Sequence, residues 1–418
     1  MTYIPRWAGK EYELASTIFK AIIFSGPRQC GKTTLMKHLL PRDSAFASLD
    51  NASNWSYANE APRNFLRQYE RHACLGLDEV QKAPGLFDEI KAVVDERPEA
   101  CQFLLSGSSN YKAMPSVHES MAGRLGEVRL RPLAEGEIQG NPPRLLERIL
   151  KEDFQEELDF EDCSKRLILQ KALKGGFPPV LGFSPEQRRY WFDQYIEAIV
   201  KRDLADLGSF RKPEVMRGLL QKCAADSSRM LNVSAMSAGL EERRPLIMEY
   251  LAALETMFLI ERIPAWQPKA SSRIGKTPKL MMCDTGLAAF LMEIDDAESL
   301  LNGVGKAKTD IVGSLIETWV FEQLAPMTDI GREWSIFHFR AHDGHEIDFI
   351  LQDRRGDLIC MEVKASEGVK PDHFKHLRWF REYYGKDRNV KSIVLYAGNE
   401  FRKYGEGEYA VPMAYLWL

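Results

Sequence analysis

The stretch Ala21-Ile22-Ile23-Phe24-Ser25-Gly26-Pro27-Arg28-Gln29-Cys30-Gly31-Lys32-Thr33-Thr34 constrains this chain more than any other. An apolar run enters Gly-x-x-x-x-Gly-Lys-Thr, and a helical pattern of Leu35, Met36, Leu39 and Leu40 leaves it. Strand, loop, helix is the context a phosphate-binding loop requires. Gly26 and Gly31 allow backbone angles that turn successive N–H groups onto one anion. The helix beginning near Lys32 adds the positive end of its dipole. The residue types assign Lys32 to the β- and γ-phosphates and Thr33 to Mg²⁺. The ligand predicted for 26–34, that is Gly26, Pro27, Arg28, Gln29, Cys30, Gly31, Lys32, Thr33 and Thr34, is ATP with Mg²⁺. The plain alternative is a glycine-containing turn before an ordinary helix.

Acids at strand ends extend the reading. Phe46–Asp50 is a short strand, and a helix is expected over Asn64–Arg71. Cys74-Leu75-Gly76-Leu77-Asp78-Glu79 reads as a buried strand ending in two carboxylates. Asp78 is the expected Walker B metal carboxylate, and Glu79 the general base that polarises water. A solvated strand end is the competing reading of such a pair. After the next strand, Cys101–Leu105, Ser108, Ser109 or Asn110 is placed to sense the γ-phosphate, unless this is a simple turn. Arg124, before the strand Glu127–Leu130, is either a transition-state arginine, in cis or from a neighbouring subunit, or a surface ion-pair partner. Strands alternating with helices predict a parallel, helix-covered sheet with ligand at its carboxyl edge.

A chain of 418 residues exceeds one ordinary core. Its net charge of −4 announces no nucleic-acid binder, so any basic surface must be local. Seven scattered cysteines form no Cys-x-x-Cys pair and fit a reducing compartment. Cys30 reads as a small tolerated side chain, with oxidation sensitivity as the other possibility. No run reaches the ~20 apolar residues of a membrane span, and Met1–Trp7 lacks a signal peptide's apolar core. A cytoplasmic protein with no membrane partner is expected.

Past Asn141-Pro142-Pro143 the chain is less explicit. Residues 152–162 are dense in acids and read as a solvated face or linker. Gly175-Gly176-Phe177-Pro178-Pro179 signals a loop, and a long helix is expected from Pro185 to about Leu207. Three shorter helices follow, near Met216–Ala225, after the candidate N-cap Asn232, and over Arg243–Met257. Phe258–Ile263 and Pro278–Cys283 then read as paired strands whose tip carries Lys269, Arg273 and Lys276. Three helices and a basic hairpin resemble a winged helix-turn-helix, a module that binds DNA in some proteins and serves packing in others.

A second chemical constellation lies near the carboxyl end. An amphipathic helix, Ile311–Leu324, bears Glu317. The strand Glu346-Ile347-Asp348-Phe349-Ile350-Leu351 precedes Leu358-Ile359-Cys360-Met361-Glu362-Val363-Lys364. The period of two puts Glu362 and Lys364 on one face. Carboxylates with an open site bind Mg²⁺ or Mn²⁺, and Lys364 would orient a water for phosphodiester attack. Asp348, Glu362 and Lys364 are the candidate catalytic residues, with Glu317, Asp348 and Glu362 as metal ligands. A buried ion pair is the alternative.

Taken together, these motifs resemble prokaryotic AAA-superfamily ATPases that carry a carboxyl-terminal domain of unknown function with a PD-(D/E)xK-like core. The matching pieces are Gly26–Thr34, Leu77–Gln81, Ser106–Ser109, Ala122–Arg124, Gly175–Pro178, Lys201–Leu204, Pro278–Leu280, Asp284–Leu287, Glu346–Phe349 and Glu362–Ser366. Cys30 departs from the aliphatic residue usual in relatives. The resemblance implies an α/β fold: a P-loop ATPase domain over 1–140, a helical linker over 141–212, a winged-helix-like domain over 213–290 and a nuclease-like domain over 291–418. The resemblance implies an ATPase; the winged-helix-like and nuclease-like parts then suggest action on DNA, with a homo-oligomer as one option, and the alternative is a regulatory switch whose nuclease-like part is inactive and contacts proteins.

Overall fold

The computed structural model describes residues 3–107, 121–154, 163–203, 212–302 and 306–418. Two compact units emerge. The first comprises Met1–Pro132 with Leu254–Leu259 and Asp329–Gly331, and the second comprises Leu133–Ala253, Ile260–Thr328 and Arg332–Leu418.

Five parallel strands form the first unit's sheet: β1 (Ala21–Ser25), β2 (Ala45–Ser48), β3 (Leu75–Asp78), β4 (Phe103–Gly107) and β5 (Leu125–Arg129), in the order β2-β3-β4-β1-β5. β1, β3 and β4 are buried along their whole length, as parallel strands covered on both faces must be. Alternation then divides the core. Ile22, Phe24 and Leu104 pack with Ala15, Leu35 and Met36 of the helices Ala8–Ile18 and Lys32–Leu39. Ala21, Ile23, Leu77 and Leu105 pack with Phe65, Phe87, Ile90 and Val94 of Pro62–Arg67 and Leu86–Glu96 on the opposite face. Because every strand is parallel, Ser25, Ser48, Asp78 and Gly107 end at one edge.

The helix expected over Asn64–Arg71 is Pro62–Arg67, and a helix not anticipated in sequence, Ala52–Glu60, precedes it. Pro62 disfavours helical geometry at Ala61, so the first helix ends there and a second starts with proline in its first turn.

The second unit opens with helices Lys165–Lys174 and Pro185–Ala198, the latter continuing as a π-helical turn, Ile199–Asp203. The expected run to Leu207 extends outside the described residues, as do the expectations for Leu204 and for 155–162. Helices Pro213–Ala225, Val233–Gly239 and Arg244–Thr256 follow, and Asn232 caps the second by accepting from the Ala235 amide at 3.0 Å. β6 (Ile260–Ile263) and β7 (Lys279–Met282) pair antiparallel. The tip arginine is not free, since Arg273 donates to Gln352 at 2.6 Å and lies 4.3 Å from the Phe337 ring centroid.

The Lys306–Asp329 helix leads to a mixed six-stranded sheet, ordered β12-β13-β11-β10-β9-β8. Its strands are β8 (Trp334–Arg340), β9 (Glu346–Asp353), β10 (Leu358–Lys364), β11 (Val390–Tyr396), β12 (Arg402–Gly405) and β13 (Glu408–Pro412). Trp266, Phe339, Phe374, Leu377, Phe380 and Val394 form the core on one of its faces. β8, β9 and β10 run antiparallel, while β10, β11 and β13 run parallel. The last hairpin, β12–β13, was not anticipated in sequence, because Tyr404-Gly405-Glu406-Gly407 reads as loop whichever strands flank it.

Candidate functional site

Backbone geometry builds the amino-terminal site first. Gly26 has φ 151°, and a Cβ there would lie 2.0 Å from the Leu130 carbonyl oxygen, so only glycine fits. Gly31, the residue before the Lys32–Leu39 helix, is left-handed at φ 97°, and Gln29 at φ 64° adds a second left-handed turn. Pro27 and Cys30 are buried, Arg28 is half-buried, and Gln29 and Thr34 are exposed. Cys30 is fully buried with Sγ 3.5 Å from the Leu130 carbonyl oxygen, so it packs the loop against β5's exit. Arg6 braces the same loop by donating to the Cys30 carbonyl at 2.8 Å. The buried Lys32 ammonium donates to the Gly26 and Pro27 carbonyls at 2.9 and 2.8 Å, arched back over its own loop.

The acids meet the loop across the sheet edge. Asp78 Oδ1 accepts from Thr33 Oγ1 at 2.8 Å and from Ser106 Oγ, and Oδ2 accepts from Ser48 Oγ at 3.5 Å. Glu79 is half-buried and left-handed at φ 58°, its amide donating to Ser106 Oγ at 3.4 Å and its carboxylate accepting from Gln81. Thus β4, lying between β1 and β3, places Ser106 against both acids. Sequence reasoning looked for this polar group beyond the strand, at Ser108, Ser109 or Asn110, which lie outside the described residues. The missed signal is Ser106 itself, the one polar side chain in Phe103-Leu104-Leu105-Ser106-Gly107. Its role depends on strand order, which the sequence does not spell out. A hydroxyl and a carboxylate 2.8 Å apart at a phosphate loop fit a Mg²⁺ ion in donor type.

Arg124 is placed elsewhere. It precedes β5 at the amino edge of the sheet, opposite the loop, and forms a two-point pair with Asp95 at 2.5 and 2.9 Å. Within one chain it is the surface ion-pair partner of the two alternatives, because a five-residue strand separates it from the carboxyl edge.

The second unit does bring its predicted residues together, but with an addition. Asp348 on β9 accepts from the Val363 amide at 2.8 Å, and Lys364 pairs with Glu362 at 2.6 Å. Lys279 of β7 enters between the acids, 2.5 Å from Glu317 Oε1 and 3.7 Å from Asp348 Oδ1. Burial, with Asp348 adding, raises the Glu317 carboxyl to about 7 and Glu362 to about 8. Burial opposes the Lys279 charge, yet Glu317 and Asp348 more than offset it and hold the ammonium above its usual range. Among the described residues no group of three His, Cys, Asp or Glu side chains is arranged to hold a metal ion. The predicted ligand set Glu317, Asp348 and Glu362 therefore does not fit a divalent ion as it stands.

Residues 19–139 match a family described as an AAA domain. Residues 165–298 match a domain of unknown function, DUF8612, and 312–416 another, DUF4143, for neither of which an activity is stated. Uncharacterized proteins of Mycobacterium bovis and Mycobacterium tuberculosis are each 26% identical over 332 residues, covering 79% of this chain and 67% of theirs. Among solved structures, a Walker-type ATPase of Pyrococcus abyssi is similar at TM-score 0.41 and 14% identity, covering 69% of this chain and 96% of that one. A signal transduction ATPase with numerous domains, from Pyrococcus horikoshii, is similar at TM-score 0.22 and 10% identity, over 79% of this chain and 52% of that one. The AAA match over 19–139 and the loop geometry agree on a P-loop ATPase-like domain at the amino-terminal end, which supports ATP binding. Among the described residues no helix is long and apolar enough to cross a membrane.

Proposed function

We propose that the protein is a Mg²⁺-dependent AAA-type ATPase whose hydrolysis drives its second unit on DNA. One observation carries the Mg²⁺ part: Thr33 Oγ1 meets Asp78 Oδ1 at 2.8 Å, the donor pair that would hold the ion. Mg²⁺ would neutralise charge on the β- and γ-phosphates. Lys32 would move from the loop carbonyls to the phosphates, Glu79 would take a proton from the attacking water, and Ser106 would keep both acids aligned. The DNA part rests on the helices from Pro213 to Thr256 and the β6–β7 ribbon, which occur in winged-helix order. The exposed cations at the ribbon's tip are Lys269 and Lys276, Arg273 being tied to Gln352. We retain 1–140, 141–212, 213–290 and 291–418 as the working functional division.

The deciding assay is the ATPase rate with and without single- and double-stranded DNA, at low and moderate salt. Stimulation that fades as salt rises supports action on DNA. No response to either DNA favours the second reading, a switch that contacts proteins through an inactive nuclease-like part. That reading is motivated by Lys279, wedged between Glu317 and Asp348. A homo-oligomer enters through Arg124, which reaches another copy's phosphates only by leaving Asp95. Specific activity rising with protein concentration supports that assembly, and a constant value argues against it.

A further inference from the structure

Three acids from three elements converge in the second unit: Glu317 from the Lys306–Asp329 helix, Asp348 from β9 and Glu362 from β10. In a nuclease-like core such carboxylates would surround a divalent ion. Here a fourth element supplies the cation. β7 sends Lys279, only 8% exposed, into the cluster. Its ammonium stands 2.5 Å from Glu317 Oε1 and 3.7 Å from Asp348 Oδ1, and it donates to the Asp348 carbonyl at 3.3 Å.

Two further carboxylate oxygens of the cluster are also held. Asp348 Oδ2 accepts the Val363 amide at 2.8 Å, and Glu362 Oε2 holds Lys364 at 2.6 Å. Glu362 Oε1 is the exception, a buried carboxylate oxygen with no hydrogen-bond partner in a residue 3% exposed. A buried acceptor left unpaired costs free energy, and its presence beside two further acids marks a cation cluster. Lys279 and Lys364 already pair with these carboxylates, so a divalent ion entering the cluster would have to displace the Lys279 ammonium.

We propose that Lys279 is the resident cation of this cluster and excludes divalent metal from it. An ammonium has no open coordination position and cannot acidify a bound water as a metal ion does. The native cluster therefore does not cut phosphodiesters by metal-activated water, and it fastens β7 to the Lys306–Asp329 helix and to β9. This inference deepens the second reading above and is independent of ATP hydrolysis.

Mn²⁺ binding to the nucleotide-free full chain, followed by the electron paramagnetic resonance of free Mn²⁺, tests it. Wild type and Glu362→Gln should bind the same number of ions, with none at the cluster. Lys279→Ala should gain one ion per chain at least tenfold tighter than wild type, and Lys279→Ala with Glu362→Gln should lose it. Loss of an ion from wild type on Glu362→Gln would overturn the proposal, as would a folded Lys279→Ala protein that gains none. Circular dichroism reports folding. Should Lys279→Ala not fold, the comparison of wild type with Glu362→Gln decides alone. The phosphate loop is intact in every variant, so any ion there cancels, and a failed ATPase reading would leave this result standing.

Discussion

Ser106→Ala tests whether the strand between the loop and the acids takes part in catalysis. Ser106 Oγ donates to Asp78 Oδ1 and accepts from the Glu79 amide at 3.4 Å, so one hydroxyl holds both the acid proposed for the metal and the one proposed as general base. A hydrogen bond to a charged group contributes about 1.5–3 kcal/mol. If most of that is felt in the transition state, where both acids must be aligned, kcat falls roughly tenfold to a hundredfold. ATP affinity should change by less than about threefold, because Lys32 and the loop amides are untouched. The fold should survive, since alanine removes one oxygen from a fully buried strand position. The assay is steady-state ATPase with Mg²⁺, alongside titration with a slowly hydrolysed ATP analogue and a melting curve. A kcat within twofold of wild type at unchanged Tm would refute the reasoning. A loss of affinity equal to the loss of kcat would reassign Ser106 to ground-state binding.

Lys32→Ala should weaken ATP binding at least tenfold in the same titration, because it removes the loop's mobile cation. Glu79→Gln should bind ATP normally while turnover drops by about 10²–10⁴, and normal turnover would remove Glu79 from its role. The second unit should lose stability as pH rises. Burial raises Asp284 from 3.8 to about 6, Glu317 from 4.5 to about 7 and Glu362 from 4.5 to about 8. The folded state then holds more protons than the unfolded chain, so stability present below about pH 4 is shed up to about pH 8, and Tm should fall on the order of several degrees. Burial, with Asp284 adding, also holds Glu322 well above its usual range, and its Oε1 is buried without a partner. Glu322→Gln should accordingly raise Tm at pH 8 and lose that advantage toward pH 5, and equal Tm values at pH 8 would count against it.

What was legible in the sequence was whatever depends on neighbours along the chain. Gly26, Gly31, Lys32 and Thr33 declare their geometry within one loop, and Asp78-Glu79 declares itself at the end of an apolar run. Asn232 announced its cap in the same local way. What escaped required knowing which strands lie side by side. Ser106 matters only because β4 is inserted between β1 and β3, and Arg124 is distant from the loop only because it begins a strand that runs parallel to β1.

Lys279 shows the same limit in energetic form. Within Pro278-Lys279-Leu280-Met281-Met282 it reads as the one polar residue of an apolar strand, for which an outward-facing surface lysine is the ordinary expectation. Full burial of an ammonium is tolerated only where anions compensate it, and those anions come from Glu317 and Asp348, far along the chain. The apolar neighbours at 280–282 thus commit β7 to the interior, and that commitment obliges the unit to supply the acids. The cluster is therefore a requirement of β7's burial as much as an inheritance of chemistry, so removing Lys279 should open it to a metal ion while removing Glu362 alone should leave cation binding unchanged. A bare metal site would instead lose its ion when the acids are removed and respond little to the lysine.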